Sequence, residues 1–164
     1  MKPMTKSPLQ IARAHYQPKL PVALQNYVAI KEGKATESVA DQDDIKKLFP
    51  NTYGMPLLTF EPGEKKNYPV VNVGVILSGG QAPGGHNVIS GLFDGLKRLN
   101  PANKLYGFLD GPIGLVDHKY IELTEKGVAD YRNTGGFDII GSGRTKLEEE
   151  WQFDKGVEIC QKLG

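Results

Sequence analysis

The chain has 164 residues, a formal net charge of +1 and 39% hydrophobic residues, which suits one soluble domain of ordinary size. Lys and Arg are spread along it without the basic excess or stripe of a nucleic-acid binder. No run of about 18 apolar residues offers a membrane span. Nucleic acid and membrane are therefore excluded as expected partners. A single cysteine, Cys160, rules out an internal disulfide and points to a reducing, cytoplasmic setting. It lies in a helical pattern and reads as a small core residue rather than a nucleophile. The stretch from Met1 to Pro21 lacks the apolar centre of a secretory signal.

In chain order, residues 1–68 read as an irregular N-terminal extension with short helical patterns. Pro8 to Tyr16 predicts one helix, ended by Pro18. Val39 to Phe49 predicts another, with Ile45, Leu48 and Phe49 on one face and Pro50 closing it. Glu61 to Asn67 is a polar loop. The apolar periodicity here is too sparse for a separate domain, so this extension is expected to pack on the core.

Residues 69–164 have a different texture. Val70 to Leu77 carries the β-branched density of a central parallel strand, broken by Gly79 and Gly80. Asn87 to Leu99 follows as a helix with Val88, Ile89, Leu92, Phe93, Leu96 and Leu99 on its stripe. Lys104 to Leu109 is a second strand, ended by Asp110-Gly111-Pro112. Thr124 is placed to cap a helix through about Arg132, ended by Gly135-Gly136. Phe137 to Ile140 reads as a third short strand. A last helix is expected from Glu148 to Leu163, with Trp151 and Phe153 packing. This β-α-β-α-β-α order predicts an α/β fold, a three-layer parallel sheet with helices on both faces. A three-stranded parallel sheet leaves an open edge, and the expectation is of an incomplete, truncated domain with a fourth strand to follow.

Two segments carry chemistry. Ser78-Gly79-Gly80-Gln81-Ala82-Pro83-Gly84-Gly85-His86-Asn87 joins the first strand to its helix. Ligands of open parallel sheets bind where strands run out into helices. Glycines there bring backbone N–H groups close to a ligand, and a helix N-terminus adds donors and partial positive charge. Phosphate is the natural guest; a tight connection that needs glycine only for its geometry is the other reading. Neither the P-loop nor the dinucleotide pattern aligns. Gly141-Ser142-Gly143-Arg144-Thr145-Lys146 follows the third predicted strand and should reach the same sheet edge. Arg144 presents a fork of donors suited to phosphate oxygens, or else belongs to a solvated basic turn. His15, His86 and His118 lack metal-ligand spacing, and His86 is read as bonding to backbone rather than transferring protons. Glu148-Glu149-Glu150 is an acidic first helical turn, not a metal site.

VGVILSGGQAPGGHNVISG (Val73 to Gly91) resembles the first glycine loop of the 6-phosphofructokinases. YGFLDGPIGL (Tyr106 to Leu115) and YRNTGGFDIIGSGRTK (Tyr131 to Lys146) resemble the next family blocks, in order. YQPKLP (Tyr16 to Pro21) and NTYGMPLLTF (Asn51 to Phe60) are similar to the N-terminal extension of the long, pyrophosphate-dependent branch. Gln81 stands where the ATP-dependent members carry Asp, and Gly85-His86-Asn87 where they carry Gly-Met-Asn. This combination resembles the pyrophosphate branch.

The resemblance implies an N-terminal portion of an enzyme that phosphorylates fructose 6-phosphate reversibly from pyrophosphate, with Mg2+. It implies that Gly79, Gly80, Gln81 and Arg144 border the diphosphate. The catalytic aspartates, the magnesium ligands and the sugar-phosphate pocket are implied beyond residue 164, so this stretch alone is expected to be inactive. A homodimer or higher homo-oligomer is implied for the whole. An ATP-dependent phosphofructokinase, a non-catalytic regulatory subunit of the pyrophosphate enzyme and an unrelated flavodoxin-like phosphate binder are the other readings.

Overall fold

The computed structural model describes residues 6–25, 27–80 and 83–164. Twelve elements follow in order: α1 (Pro8–His15), α2 (Val22–Gln25), β1 (Val28–Ala35), α3 (Gln42–Leu48), β2 (Pro56–Pro62), β3 (Asn72–Val75), α4 (Gly85–Leu99), β4 (Lys104–Phe108), α5 (Pro112–Val116), β5 (Tyr120–Leu123), α6 (Glu125–Ala129) and α7 (Glu150–Leu163). Contacts divide the chain into two compact units. One is Pro18–Asn67; the other combines the residues up to Gln17 with Tyr68–Gly164.

The first unit is built on a strand pair that the sequence reading lacks. β1 and β2 run antiparallel, with Ile30 opposite Phe60 and Glu32 opposite Leu58. Each strand mixes apolar and charged residues, and they pair across a long intervening segment that contains α3. The extension is thus a two-stranded ribbon with short helices, not merely irregular chain.

In the second unit the sheet order is β3-β4-β5. β3 and β4 are parallel, with Val73 beside Leu105 and Val75 beside Gly107. β5 is antiparallel to β4, with Leu105 opposite Leu123. The α/β class therefore holds, but the third strand is not the expected one. Phe137–Ile140 is not a strand: residues 138–140 form a turn. Its apolar residues still go inward: Ile140 joins Val75, Ile89, Phe93, Leu105, Leu123 and Val128 in one buried cluster. Gly141, at φ +68, turns the backbone out of extended geometry straight afterwards. Parallel pairing resumes only as a single bridge between Ser78 and Gly143.

Strand alternation explains the two layers of helix. Val73, Val75 and Leu105 face α4, whose Ile89 and Phe93 are buried against them. Asn72, Gly74, Tyr106 and Phe108 face the other way. There Asn72 Nδ2 donates to the Leu163 carbonyl at the end of α7, at 2.6 Å, and Tyr120 meets Tyr106 and Phe108 edge-on or tilted. A Cβ on Gly74 would come within 2.8 Å of the Phe108 ring, so glycine lets that ring lie across β3.

α7 begins two residues later than expected, and its phase reverses three expectations. Gly156 and Ile159 face inward, Gly156 against Leu115 of α5. At 100° per residue, positions 151, 153 and 160 fall on the flanks of the inward stripe and not on its centre. Trp151, Phe153 and Cys160 are consequently exposed instead of packed.

α1 belongs to the second unit although its residues are exposed. Asn133, in the left-handed region at φ 57, donates from Nδ2 to the carbonyls of Arg13 and Tyr16 at 2.8 and 2.9 Å. It thereby adds a donor at the helix C-terminus, where the Arg13 carbonyl also accepts the Tyr16 N–H at 3.2 Å. At the other end Lys6 pairs with Asp130.

Thr124 caps α6 as its residue type suggests, its Oγ1 accepting from the Gly127 N–H at 3.2 Å. Thr124→Ala is expected to cost about 1 kcal/mol. The check is chemical denaturation, read as a lower midpoint with an unchanged slope.

Candidate functional site

Three chain segments meet at the carboxyl ends of β3 and β4: the glycine loop after β3, the Asp110-Gly111-Pro112 turn after β4, and the Gly141-to-Arg144 segment. Backbone bonds tie the outer two together. Gly79 N–H donates to the Gly143 carbonyl at 2.8 Å and Gly143 N–H to the Leu77 carbonyl at 3.3 Å; Asp110 N–H donates to the Ile140 carbonyl at 2.8 Å.

Glycine is required by close approach at two of these positions. A Cβ on Gly143 would run into the Asp110 carbonyl oxygen, and one on Gly111 would lie 2.5 Å from the Gly143 nitrogen. Gly79 and Gly84 are needed for conformation instead, with φ of 109° and 104°.

The predicted residues come together as follows. The Arg144 guanidinium lies along the backbone of Gly80, so that a Cβ there would be 2.5 Å from Nη2 and 3.3 Å from Cζ. Gly79, next to Gly80, is the residue bonded to Gly143. Gln81 lies outside the described residues, as does Ala82. Arg144 is exposed, and among the described residues no carboxylate stands within ion-pair distance of it. Lys146, by contrast, pairs with Glu148 at 3.6 Å. The arrangement is a cation and a turn of glycine backbone side by side at a strand end, open to solvent. It suits an anion with several oxygens.

The helix end contributes less than its position suggests. α4 is capped by Gly84, not by Asn87. Two N–H groups at its start are already taken: Gly84 donates to the Gly135 carbonyl and His86 to the Gly136 carbonyl, both at 2.7 Å.

His86 is the feature that the sequence undervalued. It is only 2% exposed. Nδ1 lies 2.6 Å from Thr134 Oγ1, and Nε2 accepts from the Ile139 N–H at 3.1 Å. Tyr131 stands edge-on to the ring, with centroids 4.8 Å apart. Burial pushes the imidazole below its ordinary pKa, opposed by Asp138, whose carboxylate is 3.1 Å from Nε2 but exposed. A helical-stripe reading starting at Val88 passes His86 over. The signal was its spacing from Ile89 and Phe93, three and seven residues on, which puts it on the inward face. Arg132 holds Asp94 by two bonds at 2.7 and 2.8 Å and reaches Glu125 as well, fastening α4 to α6. Those carboxylates hold its guanidinium above even its ordinary range.

Among the described residues no three His, Cys, Asp or Glu side chains are grouped to hold a metal ion. No described helix is long and apolar enough to cross a membrane.

No family model matches the chain. Individual proteins do. Over 98% of its length the chain is 62% identical to the pyrophosphate–fructose 6-phosphate 1-phosphotransferase of Porphyromonas gingivalis. By sequence, this chain matches part of a pyrophosphate-dependent phosphofructokinase. The same enzyme of Treponema pallidum is 48% identical, again over 98% of the chain. The chain spans 29% and 30% of the lengths of these two relatives. Among solved structures, the pyrophosphate-dependent phosphofructokinase of Marinobacter aquaeolei overlaps 57% of this chain and 24% of its own, at 18% identity and a TM-score of 0.48. An overlap of that size carries no weight for the fold, which rests on the strand pairing and burial above.

Proposed function

We propose that the chain supplies the phosphoryl-donor side of a diphosphate–fructose-6-phosphate 1-phosphotransferase. In that role residues 69–164 form the first part of the donor-binding domain, preceded by the extension 1–68. The observation that carries the reading is Arg144 laid against Gly80 beneath the carboxyl ends of β3 and β4. The high identity to pyrophosphate–fructose 6-phosphate 1-phosphotransferases along nearly the whole chain supports it.

Phosphoryl transfer asks little covalent chemistry of a protein and much positioning and charge neutralisation. Gly79, Gly80 and Gln81 would border the pyrophosphate, Gly80 and Gln81 with backbone donors and Gly79, whose N–H is held by Gly143, as the turn that presents them. Arg144 would hold its oxygens by charge-assisted bonds that strengthen as charge shifts toward the leaving phosphate. The close contacts at Gly111 and Gly143 keep that arginine in place. Magnesium, which the resemblance implies, would neutralise phosphate charge when bound, on ligands other than these residues. The base that takes the proton of the sugar hydroxyl is likewise assigned elsewhere in the enzyme. We place the protein in the cytoplasm, with fructose 6-phosphate and pyrophosphate as its small-molecule substrates, as a homo-oligomer.

Donor choice is the deciding experiment. The full-length protein carrying this sequence is expected to form fructose 1,6-bisphosphate from fructose 6-phosphate and pyrophosphate, and orthophosphate should drive the reverse reaction. Steady-state rates with pyrophosphate and with ATP, at equal magnesium, measure this. Turnover with ATP and none with pyrophosphate would move the assignment to the ATP-dependent branch; turnover with neither donor would favour a regulatory subunit.

A further inference from the structure

We propose that His86 is a positioning residue which, through a fixed Nδ1–H tautomer, keeps the glycine loop and the Arg144 segment at the spacing that phosphate binding needs. This rests on the reading that Gly80 and Arg144 hold the diphosphate.

The hydrogen bonds specify the ring from both sides. Thr134 has one hydroxyl hydrogen and gives it to the Tyr131 carbonyl at 2.6 Å. Toward His86 the hydroxyl can then only accept, so Nδ1 carries the proton. Nε2 receives the Ile139 N–H and must present its lone pair. A neutral imidazole of one tautomer is the only form that satisfies both contacts. Asp138 reaches the same nitrogen from solvent, but burial of the ring works against the proton that would pair them.

The ring also lies where it can set a distance. It stands on the first turn of α4, immediately after the glycine loop. Its partners Thr134 and Ile139 stand on the segment that continues through Ile140 to Arg144. Gly136 lies flat against it; a Cβ there would be 2.8 Å from Cε1. The backbone bonds Gly84–Gly135 and His86–Gly136 run alongside. The loop is thus held at two ends, by Gly79 on Gly143 and by His86 on residues 134–139, with Gly80 between them. If the His86 end loosens, Arg144 loses its fixed place over Gly80, although no group that touches substrate has changed.

The test uses the full-length protein with His86→Asn and Thr134→Val. Asparagine keeps a donor near the Nδ1 position but offers nothing to the Ile139 N–H. Valine keeps the shape of an exposed threonine and removes the acceptor of Nδ1–H. Both variants are expected to lower kcat/KM for pyrophosphate by roughly tenfold or more, with KM for fructose 6-phosphate close to wild type. Hydrogen exchange without substrate should quicken at amides 139–144 in both. Unchanged exchange there in both variants, or a wild-type kcat/KM for pyrophosphate in both, would overturn the proposal. Should the emptied ring site unfold His86→Asn, Thr134→Val decides alone. A wild type inactive with pyrophosphate would sink the functional reading, and the exchange data would still decide whether His86 positions the segment.

Discussion

Arg144→Ala is expected to lower pyrophosphate-dependent turnover of the full-length protein by on the order of a hundredfold or more while leaving its melting temperature nearly unchanged. The guanidinium lies beside Gly80 at the strand ends and, among the described residues, has no carboxylate to neutralise it. On the proposed function, this cation beside glycine backbone serves a ligand rather than the fold. Losing its contact to a phosphate oxygen would remove a few kcal/mol from the transition state, because the donor charge is then compensated by water that must reorganise. Its contribution to folding is small by the same geometry. The side chain is exposed and covers no buried cluster, so removing it should cost well under 1 kcal/mol of stability. Steady-state kinetics alongside a thermal melt separate the two effects. Near-normal rates with pyrophosphate would return Arg144 to a solvated turn.

Gly143→Ala should do comparable damage by a different route. The methyl group would be directed into the Asp110 carbonyl oxygen, and backbone cannot swing aside as a side-chain tip can. Either the turn after β4 or the Gly141-to-Arg144 segment must move. The bonds from Gly79 to Gly143 and from Gly143 to Leu77 hold that segment to the glycine loop, so both would be strained together. Overpacking of this kind costs about 1–3 kcal/mol. Displacing Arg144 from Gly80 should add a loss of pyrophosphate turnover approaching that of Arg144→Ala. The two substitutions differ in a measurable way: Gly143→Ala lowers the denaturation midpoint and Arg144→Ala does not. Wild-type stability and activity in Gly143→Ala would mean that the turn yields freely and that the close contact is not what sets the arginine.

Much of this was legible in the chain because it is written locally. The β-branched run before Gly79, the helix over residues 85–99 and the Lys104–Phe108 strand carry their periods within themselves. So do the Thr124 cap and the helix ending at Leu163. The pairing of Arg144 with the glycine loop was also foreseeable, since both follow segments that run toward the same sheet edge, and the three ordered motifs pointed to the same kind of enzyme as the relatives that the chain resembles along 98% of its length.

What the sequence could not decide is non-local. Four apolar residues such as Phe137–Ile140 are equally a short strand or a buried turn. Only the room beside Val75 and Leu105 makes Ile140 a core plug, and only the turn at Gly141 stops the ladder at one bridge. Tyr120–Leu123 became the third strand because Leu105 and Phe108 on β4 had an open edge for Leu123 and Tyr120 to pair with. That is a property of the partner, not of four residues. The β1–β2 ribbon is the same case across a longer separation. For His86, the residue type made it a candidate for either a proton carrier or a backbone ligand. Tertiary structure decided by burying it between a threonine whose hydrogen was already committed and an amide needing an acceptor, which leaves the ring one tautomer and a structural task.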